Sequence, residues 1–411
     1  MPVPGSPNQP FRILYFDHTA ALGGGEIALL NLIRHTDRKH ITPIVVLCSD
    51  GPLADRLRSI CEVYILSLPE RVRKTQKDNL GWGSLLKLRD IASVVSCSIR
   101  LAIFAVKRDV NLIHTNSLKA DIIGGIAGRL ARRPVVWHVR DRIEADYLPK
   151  STVHAFRFLC RFLPSYVIAN SQAVLKTLHL PQRRLQTSIP SGVELPQTSK
   201  VVYDATIVPS APASDNSSEQ QVIALIGRIC PWKGQHIFLQ AAAAVRQRFP
   251  NTRFKIVGAA LFGEEEYEEK IRKLCTDLSL DSVVEFTGFC TNVDKLIPGF
   301  DLVVHASTTG EPFGQVIVEG MAAGKPVVAT SGGGVPEIVV DTVTGFLVPM
   351  GDAGAMAEAI CKTLADPAMA RRMGSQGFMR VQKLFTIEMA AEKVKAIYHQ
   401  ILDTPHFARV A

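Results

Sequence analysis

Short apolar runs alternate with longer stretches of helical spacing along most of the chain. In the first half, FRILYFDH (11–18), PIVVLCS (43–49), VNLIHTN (110–116), PVVWHVRD (134–141) and SYVIANS (165–171) are rich in β-branched residues. Each ends in polar residues: His18, Ser49, His114, His138 and Asn170. Apolar runs of this length read as strands buried on both faces, and the helical stretches between them imply a parallel sheet. The first such stretch is IALLNLIRHT, opened by GGGE (23–26). Residues 196–221, rich in Pro, Ser, Asp and Gln, break the rhythm and read as a linker or long loop. The alternation resumes with QVIALIGR, RFKIVGA, SVVEFTG, DLVVHAS and KPVVATS; HIFLQAAAAVRQRF and EEEYEEKIRKLCTDL are the helices between the first three. The acids of EEEYEE (264–269) suit a solvated helix start. An amphipathic stretch closes the pattern at 387–402. The pattern predicts an α/β protein of two doubly wound domains in tandem, 1–195 and 222–386, with 387–411 returning to pack on the first. Ligands of such sheets lie beyond the carboxyl ends of the strands, where the polar residues collect.

Composition agrees with two cores: 411 residues, 47% hydrophobic and 21% charged. No run of about 18 uncharged apolar residues is present, so no spanning helix is expected. The Pro-rich start MPVPGSPNQP lacks an apolar signal core and reads as a frayed tail. The eight cysteines are scattered without a CxxC, which predicts reduced thiols and a cytoplasmic setting. Charge is uneven. Residues 1–200 hold 28 Lys and Arg against 15 Asp and Glu, and the remainder holds 19 against 23. The basic half points to an anionic partner, and a peripheral membrane surface is the candidate rather than nucleic acid. Residues 84–109 form an apolar helical run with basic flanks, read first as core. Membrane docking, helped by RVRK (71–74) and Arg132–Arg133, is the alternative.

The stretch EPFGQVIVE, 311–319, brackets an apolar segment with two acids. Pro312 suits a turn, and Phe313, Gly314 and Gln315 then open a helix whose first N–H groups form an anion site. Gly314 allows a ligand close approach. Glu319 lies roughly 7 Å along that helix, within reach of the hydroxyls of a ribose attached to a bound phosphate. Glu311 stands on the other side, placed for the hydroxyls of a sugar. GRICPWKG (227–234) supplies Arg228 and Lys233 as countercharge for a diphosphate. Gly24 and Gly25 of GGGE permit backbone approach to the same group.

These residues, together with HTNSLKADIIGGIAGRLARRPVVWHVRD, SIPSGVE, VEFTGF, GGGVPEIV and TGFLVP, make the chain resemble glycosyltransferase family 4 over nearly its whole length. That family has two facing Rossmann-like domains, the GT-B fold, and retains anomeric configuration. The resemblance implies that Glu319 binds the ribose and Glu311 faces the donor sugar. It implies that Gly314, Gln315 and Val316 lie against the diphosphate and that Arg228 and Lys233 contact the phosphates. His138 would stand close to the transferred sugar. The donor would be a UDP-sugar or GDP-sugar, and the acceptor a saccharide or a lipid-linked hydroxyl in polysaccharide, lipopolysaccharide or glycolipid synthesis. No cofactor or metal is expected, because Arg228, Lys233 and the helix start supply the countercharge and no DxD motif is evident. Ser191 stands in SIPSGVE where asparagine is usual. Two other readings stay open. An NAD-dependent oxidoreductase would need GxGxxG after the first strand, and GGGEIA lacks the third glycine. A nucleotide-binding protein without activity is compatible with the same fold.

Overall fold

The computed structural model describes residues 9–68, 86–196, 220–261 and 263–404, except for the side chains of 86–90. Nearly all of the segment 196–221 and all of the basic cluster 71–74 lie outside the described residues. The chain divides into two compact units: residues 1–192 with 387–411, and residues 193–386.

In the first unit the strands are β1 (Phe11–Asp17), β2 (Ile41–Leu47), β3 (Glu62–Ile65), β4 (Leu112–Thr115), β5 (Val135–Val139), β6 (Tyr166–Ala169) and β7 (Gln186–Ser188). They form one sheet in the order β3-β2-β1-β4-β5-β6-β7, and every pairing is parallel. Alternate residues of β1 serve opposite cores, as the period of two requires. Leu14 and Phe16 pack under helices α2 (Leu86–Lys107), α3 (Leu118–Ala131) and α4 (Lys150–Cys160). Ile13 and Tyr15 pack under α1 (Gly24–Arg34) and α8 (Ile387–Leu402). The final helix thus belongs to the first sheet, with Ile387, Val394, Ile397, Tyr398 and Ile401 buried against it. Each such side chain contributes roughly 1.5–3 kcal/mol by leaving water.

Helix α2 is core on one face only. Cys97, Leu101 and Ala105 are buried, whereas Ile91, Val95, Ile99, Ile103 and Val106 are exposed. Phe158 and Phe162, at and just beyond the end of α4, are exposed as well. Among the described residues no helix is long and apolar enough to cross a membrane.

In the second unit β8 (Val222–Ile226), β9 (Arg253–Val257), β10 (Val284–Gly288), β11 (Leu302–His305), β12 (Val327–Thr330) and β13 (Phe346–Val348) form a parallel sheet in the order β10-β9-β8-β11-β12-β13. Helices α5 (Gln235–Arg248) and α6 (Glu265–Asp277) cover one face, and α7 (Gln315–Ala322) lies on the other. The acids Glu265, Glu266 and Glu268 occupy the first turn of α6, where the helix dipole favours them. In each sheet the first strand lies between the second and the fourth. The chain therefore changes direction between β1 and β4 and between β8 and β11, and a crevice opens there at the carboxyl ends of the strands.

Candidate active site

In the second unit the crevice is built by the loops after β8 and β11. After β8 the chain passes Gly227 and Arg228, makes one tight turn at Pro231–Lys233, and enters α5 at Gly234. Gly234 has φ of 71°, and a Cβ there would come within 1.9 Å of the Ala306 carbonyl oxygen. Only glycine lets these two loops touch. The Thr308 N–H donates to the Trp232 carbonyl at 2.8 Å and joins the loops again. Gln235 is fully buried and donates to the Arg228 carbonyl at 2.9 Å, which fixes the backbone that carries Arg228.

This contact brings Lys233 to Glu311. The Lys233 ammonium donates to both Glu311 carboxylate oxygens, at 3.0 and 2.8 Å. Ser307 donates to the same carboxylate at 2.8 Å, and His305 Nε2 lies 3.1 Å from it. Burial alone would raise the Glu311 carboxyl, but the Lys233 charge and His305 outweigh it and hold the group well below the usual carboxylate range. An ammonium has three N–H groups, so two bonds to Glu311 leave Lys233 one donor for a further acceptor. Lys233 also lies over the Trp232 ring, 4.3 Å from its centroid. The loop bearing Glu311 is pinned from behind. The Gly334 N–H donates to the Glu311 carbonyl at 2.8 Å, and Gly333 packs so closely that a Cβ would reach that oxygen at 2.0 Å.

Helix α7 starts slightly later than the sequence pattern suggests. Gly314 is its N-cap, with φ of 109°, and Gln315 is its first residue. Phe313 precedes the helix and is 4% exposed, packed edge-on against Phe385. The first N–H groups of a helix have no partner within it, so those of Gly314, Gln315 and Val316 are the donors for an anion. One turn on, Glu319 is half-buried and hydrogen-bonded to Gln315 across i, i+4. Burial pushes its carboxyl up to about 7, with the Asp294 charge adding to the shift.

In the first unit the loops after β1, β4 and β5 converge. Asp17 is fully buried at the end of β1 and accepts hydrogen bonds from Asn116 at 2.8 Å, Ser117 at 2.8 Å and the His18 N–H at 2.7 Å. Burial alone would raise its carboxyl, but these bonds and His18 lower it. Asn116 also donates to the Gly25 carbonyl at 3.1 Å, and its side-chain oxygen accepts from Arg140 Nε at 2.6 Å. Arg140 Nη1 donates to Ser191 at 2.9 Å. The departure at Ser191 therefore has a structural role as an acceptor for Arg140. Gly24 is exposed, and a Cβ there would meet no atom within 4 Å. Glu26, next in GGGE, is pushed up to about 8 by burial and by the charge of Asp17.

His138 is buried on β5. Its Nδ1 lies 3.2 Å from His114 Nε2 and 3.4 Å from Arg140 Nη2, and its Nε2 has no partner among the described residues. Burial, reinforced by the Arg140 charge, keeps it neutral.

The structure thus joins Lys233 to Glu311 and Gln315 to Glu319 in the second unit, and Gly25 to Asn116 and His138 to Arg140 in the first. It assembles them from Asp17, Asn116, Arg140, His305 and Ser307 as well, which the motif reading did not single out. These residues sit at or just past strand ends, and that position is the signal that marks them in the sequence.

Residues 22–195 match the family described as Glycosyltransferase Family 4, and residues 210–380 match Glycosyl transferases group 1. Among solved structures, HepE of Anabaena, in complex with UDP and glucose, is 28% identical. It superposes with a TM-score of 0.78 over 94% of this chain and 99% of that one. Among curated proteins, the D-inositol 3-phosphate glycosyltransferase of Kribbella flavida is 32% identical over 44% of this chain and 44% of that protein. The lipopolysaccharide core biosynthesis glycosyltransferase LpsE of Rhizobium meliloti is 30% identical over 46% of this chain and 51% of its own. The chain thus spans less than two thirds of the length of the curated relatives it matches.

Proposed function

Because this chain belongs to glycosyltransferase family 4, we propose that it transfers a sugar from a nucleoside diphosphate to an acceptor hydroxyl, with retention of configuration. The observation that carries the reading is the Lys233–Glu311 pair, held at the direction change of the second sheet beside the start of α7. The diphosphate lies against the N–H groups of Gly314, Gln315 and Val316, and Arg228 and the spare Lys233 donor take its oxygens. As the bond from the anomeric carbon to the diphosphate breaks, these donors meet the charge that grows on the leaving oxygen. Such preorganised donors are the largest contribution in reactions of this type, and they remove the need for a metal ion. The acceptor oxygen attacks on the face the diphosphate leaves, and a phosphate oxygen takes its proton. Glu311 holds hydroxyls of the transferred sugar, and Glu319 accepts from the ribose. The UDP and UDP-glucose complexes of HepE favour a UDP-hexose donor. The acceptor is a saccharide or a lipid-linked hydroxyl.

Calorimetric titration tests the donor site. UDP is expected to bind more tightly than GDP or ADP. With the Glu319 carboxyl pushed up to about 7, a proton competes with the ribose hydroxyls for the carboxylate, so affinity for UDP-glucose should rise between pH 6 and pH 8 as the carboxylate forms. The diphosphate diester does not titrate in this range, so the limb belongs to the protein. Glu319→Gln should weaken binding by about tenfold, one charge-assisted hydrogen bond's worth, and abolish the limb. Unchanged affinity in the variant would remove Glu319 from the ribose.

We further propose that the exposed face of α2 docks the protein on an anionic membrane surface. Its five exposed Ile and Val residues supply the apolar face, Phe158 and Phe162 are further exposed apolar groups of the same unit, and the basic surplus of the first 200 residues supplies the attraction to anionic lipid. Ile99→Asp with Ile103→Asp should cut co-sedimentation with vesicles of phosphatidylglycerol at least about tenfold without lowering the melting temperature. Equal sedimentation of variant and parent would refute docking through this face.

A further inference from the structure

A chain of buried hydrogen bonds runs from the last helix to His138. The Tyr398 hydroxyl, on α8, lies 2.7 Å from His114 Nδ1, and His114 Nε2 lies 3.2 Å from His138 Nδ1. Tyr15 closes the outer end, its hydroxyl 3.3 Å from that of Tyr398. All four side chains are at most 3% exposed. Such a chain can be polarised in either sense. In one, His138 donates outward through Nδ1 and leaves Nε2 as an acceptor. In the other, every donor points toward His138.

Arg140 selects the second. Its guanidinium can only donate, and its Nη2 lies 3.4 Å from His138 Nδ1. That nitrogen therefore presents its lone pair, and a neutral ring then carries its proton on Nε2. His114 Nε2 must in turn donate to His138 Nδ1, which leaves His114 Nδ1 to accept from Tyr398. Both rings are neutral: burial and the Arg140 charge bring His114 down to about 3 and His138 well below its usual value. The end of the chain is His138 Nε2, a buried donor without a partner among the described residues. An orphaned buried donor is costly and calls for an acceptor.

We propose that Arg140, backed by Tyr398 acting through His114, fixes His138 in the Nε2–H tautomer, so that His138 serves the reaction as a neutral hydrogen-bond donor to an oxygen of the transferred sugar and not as a base. Tyr398 and His114 are positioning residues. The inference rests on the reading of the chain as a glycosyltransferase with His138 against the sugar. Without the Tyr398 hydroxyl, His114 Nδ1 loses its donor, and His114 can move its proton there and offer Nε2 as an acceptor, which opposes the Arg140 bond and admits the other His138 tautomer.

The full chain labelled with 15N-histidine tests this in long-range 1H–15N spectra. Both His114 and His138 should show a pyridine-like Nδ1 and a pyrrole-like Nε2. Tyr398→Phe should mix the tautomers and lower kcat with UDP-glucose about 10- to 100-fold, the range for outer partners that orient a liganding histidine. Its affinity for UDP should stay unchanged, since the diphosphate donors lie in the other unit. His114→Gln, whose amide can accept from Tyr398 and donate to His138, should retain more activity than His114→Leu. A protonated His138 Nδ1 would overturn the proposal, as would full turnover in Tyr398→Phe or an equal loss of UDP affinity and turnover. If no nucleotide sugar is turned over, the glycosyltransferase reading fails, and the tautomer spectra still decide the proton chain.

Discussion

Replacing Lys233 with alanine is expected to lower kcat by about 10²- to 10³-fold, the loss that follows removal of one preorganised donor to a developing anion. It should also destabilise the second unit by about 3–5 kcal/mol, the cost of leaving one partner of a buried ion pair uncompensated. The partner is Glu311, which keeps Ser307 and His305 but loses both bonds to the ammonium. The two effects separate by pH. In the parent the Glu311 carboxyl is held far below its unfolded value, so its contribution is complete at neutral pH and lost only in strong acid. In Lys233→Ala the carboxyl rises and the group takes up a proton. The stability deficit should therefore be largest near pH 7 and shrink as the pH falls toward 4. Lost activity does not return with the stability, because the missing donor is still absent. Urea unfolding across this pH range, beside steady-state kinetics, measures both. A deficit that stayed constant with pH would mean that Lys233 does not compensate a charged Glu311.

Gly234→Ala is expected to unfold the second unit, at a cost above about 4 kcal/mol. The new methyl group would lie 1.9 Å from the Ala306 carbonyl oxygen, and the φ of 71° is one that an L-residue rarely adopts. Neither loop can retreat, since Trp232 and Gln235 hold one and the Ser307–Glu311 contact holds the other. Gly24→Ala is the matched control, with no atom within 4 Å of the added carbon. Scanning calorimetry should show the transition of the second unit displaced or missing in Gly234→Ala and both transitions intact in Gly24→Ala. A parental trace for Gly234→Ala would contradict the loop contact that seats Lys233.

The hydrophobic pattern carried most of the fold because the central strands are buried on both faces. FRILYFD and VVWHV leave little choice but a covered parallel sheet. The edge strands were less legible. EVYI and QTS form β3 and β7 with no wholly apolar run, because an edge strand is held by the ladder of its neighbour more than by its own side chains. The helix over 86–107 read as core, yet five of its six Ile and Val residues face outward, a division that only the packing of α3 and β1 reveals. At the candidate site, local spacing singled out Glu311, Glu319, Arg228 and Lys233. Asp17, Asn116 and Arg140 were not, because residues about a hundred positions apart meet only once β4 is inserted beside β1. The same holds for Tyr398, brought from the last helix to a histidine 284 residues away.

The central claim is that the second unit holds a nucleoside diphosphate at the start of α7. A crystal structure of the full chain with UDP tests it most directly. The account predicts diphosphate oxygens within hydrogen-bond distance of Lys233, Arg228 and the N–H groups of Gly314–Val316, with the ribose hydroxyls on Glu319. UDP bound away from these groups, or Glu319 facing solvent with the ribose elsewhere, would contradict it.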